Sequence, residues 1–202
     1  MNSLLKFFYH FQNLIAKNVK IEYLNFNFVD KIAFLDCGYK KDKIKCVCVI
    51  FSKKENKIES VDEIIDTPAF PYIPTFLFLR EAPFMLELIE RNKADLYVID
   101  GHGLSHPRKA GIATVVGVLK DISCIGIAKK FLFGEIREDK IFVENEIVGL
   151  KFKKYYISIG NKVDINTLRE FLEFFGYEYP WPMELADKIS KDFSTSPSKK
   201  LE

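Results

Sequence analysis

Residues 96–134 read LYVIDGHGLSHPRKAGIATVVGVLKDISCIGIAKKFLFG. An apolar run, 96–99, ends in an acid, Asp100, and glycines, two histidines and several basic residues follow it. A carboxylate at the C-terminal end of a buried strand, next to glycines that let a ligand approach the backbone, is how open α/β sheets build active sites. The stretch therefore predicts a strand over 95–100, a helix within 106–119 and another strand over 124–128.

Upstream, 31–37, 43–51 and 57–65 are strand-like runs joined by short polar links, which predicts an antiparallel meander. Leu4, Leu5, Phe8, Phe11, Leu14 and Ile15 recur at helical spacing, so the chain begins with an amphipathic helix packed on the domain. Residues 67–74, TPAFPYIP, crowd three prolines among aromatics and form a stiff loop. A helix over 77–91 follows. Downstream, 140–144 and 146–152 pair as a hairpin, 155–159 is a strand, Asp164 caps a helix to about 175, and a last helix covers 183–193. This order is that of an α/β domain, a mixed five-stranded sheet with helices on both faces and extra short strands and helices after it. One domain over 1–193 is expected, followed by a polar, frayed tail over 194–202.

The net charge is only +2 in 202 residues, so a polyanion must be held by a local patch. Cys37, Cys46, Cys48 and Cys124 have no zinc-ligand spacing and read as buried reduced thiols, which suits a cytoplasmic protein. No run reaches the roughly twenty apolar residues of a membrane span.

Four acids fall where this order brings them together: Asp36 in the first strand, Glu81 in the helix after the proline loop, Asp100, and Asp187 in the last helix. An acid in an apolar strand such as AFLDCGY is costly unless paired, hydrogen-bonded or bound to a cation. Hard oxygen donors of this kind suit Mg2+, with Mn2+ as a substitute. Paired divalent ions on shared carboxylates are a known means of phosphodiester hydrolysis.

PYIPTFLFLREAP (71–83), DGHGLSHPRKAGIA (100–113) and IGIAKKFLFG (125–134) resemble the signature blocks of the endonuclease V family, nucleases that nick strands near deaminated adenine. LDCGY, VGLKFKKYYISIGNKVDI and PWPMELADKIS align more weakly in the same order, so the likeness spans about 32–191. It implies a ribonuclease H-like fold, and a metal-dependent endonuclease that recognises inosine in DNA and cuts nearby on its 3′ side, leaving 3′-hydroxyl and 5′-phosphate ends, to begin repair. It implies Asp36, Glu81, Asp100 and Asp187 as metal ligands, with Lys129 steadying charge on the phosphate or orienting water. His106 would assist water or leaving group, orient an acid, or cap structure. Tyr72, with Ile73, Pro74 and Thr75, would form a wedge that holds the gap left by an extruded base. Gly101, Gly103 and Gly111 would line the base pocket. Arg108, Lys109 and Lys130, with Lys151, Lys153 and Lys154, would supply phosphate contacts.

The sequence departs from the family pattern at Thr75, where glycine is usual, at Phe34 and at Asn161. These changes bear on lesion preference rather than cleavage. A monomer acting on DNA without a membrane is expected; inosine-containing RNA, branched or mismatched DNA, glycosylase chemistry and a non-catalytic binding module stay open as alternatives.

Overall fold

The computed structural model describes residues 3–194, so the tail expected from 194 onward lies almost wholly outside the described residues. Helix α1 (Ser3–Lys17) leads to the meander β1 (Lys31–Lys40), β2 (Lys43–Ser52) and β3 (Lys57–Asp66). Then come α2 (Phe78–Arg91), β4 (Leu96–Asp100), α3 (Ile112–Lys120) and β5 (Cys124–Ala128). The chain continues through β6 (Glu135–Arg137), β7 (Lys140–Val143), β8 (Glu146–Phe152), β9 (Tyr155–Asn161), α4 (Ile165–Phe174) and α5 (Trp181–Lys191).

The expected meander and parallel strands are present, but the sheet is larger than five strands. Among the described residues its order is β3-β2-β1-β4-β5-β9-β8-β7-β6, nine strands in one sheet. β1 pairs parallel with β4 and β4 with β5, and every other neighbouring pair is antiparallel. The later short strands were expected beside the sheet; β9 instead pairs with the free edge of β5 and carries the 135–152 strands with it. The helix expected within 106–119 occupies Ile112–Lys120, because 106–111 is a turn that wraps the site.

Strand alternation splits the core in two. Phe34, Val47, Val49, Phe51 and Val98 face α4 and α5, whereas Ala33, Leu35, Cys46, Cys48 and Ile99 face α1, α2 and α3. Phe34 packs edge-on against Phe51 and Phe175, so its bulk fills core.

The cysteine reading needs correction. Cys37 and Cys46 are directly opposed across the β1–β2 ladder and form a disulfide, while Cys48 and Cys124 are the buried free thiols. Sequence spacing hid this, because the pairing depends on hairpin register and not on a local motif. Among the described residues no helix is long and apolar enough to cross a membrane.

Candidate active site

Parallel pairing of β1 with β4 sets Leu35 opposite Ile99, and the next residues, Asp36 and Asp100, stand side by side where the strands part. Both point to the α5 face. Helix α5 brings Asp187 over them, and one oxygen from each of the three carboxylates lies within 4.8 Å of the others. Burial, then the neighbouring Asp36, pushes Asp100 up to about 8. Three converging carboxylates in a half-closed cleft need positive charge, and their hard oxygens fit a divalent cation such as Mg2+ or Mn2+. Asp36, Asp100 and Asp187 are the residues that would hold it.

The cations of the chain already lean on this cluster. Lys129 Nζ hydrogen-bonds Asp187 Oδ1 and lies 3.9 Å from Asp100 Oδ2, while Lys191 Nζ is 2.7 Å from Asp187 Oδ2. Burial opposes ionisation of Asp187, but its bonds to Lys129 and Lys191 outweigh that and hold its carboxyl below the usual range. Ser190, one turn along α5, donates from Oγ to Asp36 Oδ2 at 2.6 Å and fixes that carboxylate's orientation. Lys45, fully buried on β2, pairs with Glu63 at 2.8 Å and donates to Asp192 O, which pins the end of α5 to the sheet.

Glu81 stands slightly apart. It reaches the strand ends from α2 on the opposite face, accepts a 2.5 Å bond from Tyr39 Oη, and is pushed by burial up to about 8. It faces Asp36 closely enough to feel its charge, but it is not one of the three acids that converge.

Immediately past Asp100 lies a cavity of about 300 Å³. Gly101, His102, His106 and Gly111 line it on one side, Lys130 and Phe131 on another, and Tyr72 and Thr75 at the rim. Gly103, also expected at the pocket, is not among the lining residues and serves close backbone approach: a Cβ on it would lie 2.0 Å from Ile159 O. Gly111 does both, since it lines the cavity and a Cβ on it would lie 2.1 Å from His102 O. Tyr72 is 64% exposed, while Ile73 beside it packs inward on the α1–α3 core.

Thr75 sits at φ +65°, a left-handed conformation disfavoured for a β-branched residue. Side chains over-determine it. Its carbonyl lies 3.1 Å from Gln12 Nε2, 3.1 Å from His106 Nε2 and 2.8 Å from Arg108 Nη2, and Arg108 Nη2 also bonds Thr75 Oγ1 at 2.6 Å. Gln12 Oε1 in turn accepts from Arg108 Nε at 2.7 Å. His106 accepts from Arg108 N on Nδ1, so both ring nitrogens are engaged and Nε2 carries the proton. Burial, then the Arg108 charge, lowers its pKa to about 4, which keeps the imidazole neutral.

Residues 13–188 match the family defined as Endonuclease V. The chain belongs to the endonuclease V family. It is accordingly an endonuclease. The endonuclease V of Sulfurisphaera tokodaii is 44% identical over 193 residues, covering 94% of this chain and 95% of that one. That of Sulfolobus acidocaldarius is 41% identical with the same coverage. The catalytic domain of human endonuclease V shares the fold with TM-score 0.83 at 20% identity, covering 94% of this chain and 95% of that one. The Ciona intestinalis endonuclease V, solved with a 24mer DNA containing an inosine followed by a ribo-adenosine, superposes with TM-score 0.80 at 21% identity, covering 94% of this chain and 97% of that one. The fold is ribonuclease H-like.

In this chain the basic residues divide. Lys130 is exposed at the cavity edge and Lys151 is exposed on β8. Lys109 is paired with Glu144 at 2.8 Å and Glu146 at 2.6 Å, Lys153 with Glu178, and Lys154 lies over the Tyr155 ring. Arg108 faces inward as a loop clamp between the rings of Tyr9 and Phe76. Asn161 is buried, and its side chain bonds Lys20 N, Gly117 O and Ile122 O, which gives it a structural task away from the cavity.

Sequence reasoning missed Gln12, Tyr39, Ser190 and Tyr179. Two had a signal: Gln12 is a polar residue on the buried stripe of α1, and Ser190 lies three residues after Asp187 on the same helix face.

Proposed function

We propose that the protein is a divalent-cation-dependent endodeoxyribonuclease that recognises inosine-type deaminated purine in DNA. It cuts a nearby phosphodiester on the 3′ side of the lesion, leaving 3′-hydroxyl and 5′-phosphate ends. The observation that carries this reading is adjacency: Asp100 belongs to the acid cluster and Gly101, the next residue, lines the cavity. A base extruded into the cavity leaves its strand running over the acids. The Ciona relative's inosine-containing DNA supports the same substrate class.

A bound Mg2+ or Mn2+ would neutralise phosphate charge and ease ionisation of the attacking water. Asp36 and Asp100 would hold it with Asp187, with Glu81 completing the set from the α2 side. Lys129, beside Asp100 and Asp187, is placed to meet charge that builds on the phosphate oxygens. Tyr72 fills the gap in the base stack, and the Gln12–Arg108–His106 clamp on Thr75 keeps its loop rigid while it does so. His106 acts here as a positioning residue, since both its nitrogens are occupied.

We infer a monomer; its single nuclease domain is supported by a sheet that runs unbroken through the described residues. A cytoplasmic setting, where DNA is reached without crossing a membrane, follows from the substrate. RNA is the second reading, favoured by the ribo-adenosine that follows inosine in the Ciona structure. Matched DNA and RNA oligonucleotides, each with one inosine, decide between them when incubated with Mg2+. Faster nicking of DNA is expected; equal or faster cleavage of RNA overturns the DNA assignment.

A further inference from the structure

Tyr179 precedes α5 and is 7% exposed, and its hydroxyl is buried without a hydrogen-bond partner among the described residues. A buried phenol normally finds a partner, and leaving one orphaned costs stability. The ring itself is well held. It stacks on Tyr155 with centroids 4.6 Å apart, and Lys129 Nζ lies 5.6 Å from its centroid. Tyr179 also lines a cavity of about 290 Å³ with Lys129, Tyr155, Glu184 and Asp187, distinct from the base cavity and opening beside the acid cluster. Burial first, and then the charges of Asp100, Asp36 and Asp187, push the phenol far above its ordinary range, so it remains a proton donor at every working pH.

A donor on a firmly held ring, buried beside Lys129 and left without an acceptor near the acid cluster, suits an acceptor that arrives with the substrate. We infer that the Tyr179 hydroxyl donates a hydrogen bond to an oxygen of the phosphoryl group being cut, in a seat shared with Lys129. The inference rests on the nuclease reading and adds a residue to it. The phenol keeps its proton throughout; its part is to meet phosphate charge with a donor whose position the stacked ring sets. Glu184 and Asp187 share the cavity, and Asp187 is already offset by Lys129 and Lys191, so the seat is not closed to an anion.

Tyr179→Phe removes the hydroxyl and keeps the ring, its stack on Tyr155 and its face toward Lys129. Three measurements on the full chain separate the outcomes. The Tm in EDTA should be equal to or above wild type, because an unpaired buried group has been removed. The affinity for a 5′-phosphorylated oligonucleotide, read by fluorescence anisotropy, should fall roughly tenfold, the loss expected for one bond to a charged acceptor. Single-turnover cleavage of an inosine duplex in Mg2+ should slow on the order of 100-fold. A lowered Tm, or unchanged phosphate affinity, overturns the assignment by making Tyr179 structural. Wild-type protein that binds the phosphorylated strand through Tyr179 but cuts nothing would instead sink the nuclease reading and leave this contact standing.

Discussion

Gly38→Ala is the substitution that most directly joins the fold to the site. Gly38 lies on β1 two residues after Asp36, and α5 crosses it so closely that a Cβ there would be 2.2 Å from Ser190 O and 2.5 Å from Ser190 C. Ordinary contact begins at 3.4 Å, so the α5 backbone must retreat by about 1 Å. It cannot do so without carrying Asp187 away from the acid cluster and stretching the 2.6 Å bond from Ser190 Oγ to Asp36 Oδ2. Overpacking of this kind costs about 1–3 kcal/mol. For a domain of this size that lowers Tm by roughly 2–12 °C. Displacing an outer partner of a metal ligand costs roughly 10- to 100-fold in metal affinity. Differential scanning fluorimetry across a Mg2+ titration reads both effects. Lys40→Ala, an exposed position two residues further along the same strand, is the control and should leave both unchanged. A Gly38→Ala protein with wild-type Tm and wild-type Mg2+ response would refute the claim that α5 is seated on this glycine.

Gln12→Ala removes one bond to Thr75 O, one to Ala110 O and the acceptor for Arg108 Nε, and should cost about 1–3 kcal/mol. It should reduce discrimination between inosine and matched duplexes more than it reduces cleavage rate; equal losses in both would argue against a clamp on the wedge loop. Without a divalent ion, burial holds Asp100 and Glu81 at about 8, so they stay protonated in the fold where the unfolded chain, at about 4, has already ionised. Their stabilisation is complete below about pH 4 and is lost as pH rises through 8. The buried histidines, depressed to about 4, act oppositely but only below about pH 6.5. The urea midpoint in EDTA should therefore fall between pH 6.5 and 8.5, and Mg2+ should restore it at the upper end; a flat profile contradicts the crowded-acid picture. Unreduced protein should release two reactive thiols in denaturant and four after reduction, as the Cys37–Cys46 bond and the buried Cys48 and Cys124 require.

What could be read from the sequence was whatever depends on local pattern. The strand that ends in Asp100, the meander and the helix of Glu81 follow from apolar periodicity and turn residues, and they already place Asp36 beside Asp100. Contacts that depend on how remote elements meet were out of reach. The Cys37–Cys46 pair needs hairpin register, and the addition of β9 to the β5 edge needs the whole sheet. The orphaned Tyr179 hydroxyl is visible only once α5 is docked. Arg108 is the instructive case. Its charge reads as a phosphate contact, yet Gln12 from the first helix and Thr75 at a left-handed turn bind its guanidinium inward. Thr75, expected from the resemblance to depart from the family, brings its own hydroxyl to that clamp, which is how this chain tolerates a β-branched residue there.

Single-turnover nicking of a duplex carrying one inosine, by wild type and by Asp100→Ala in parallel, with Mg2+ and with EDTA, tests the acid cluster as the cutting centre most directly. Wild type should nick near the lesion only with Mg2+, leaving a 5′-phosphate, and Asp100→Ala should bind the duplex yet leave it intact. Nicking by Asp100→Ala at the wild-type rate, or wild-type cleavage that persists in EDTA, would contradict the account.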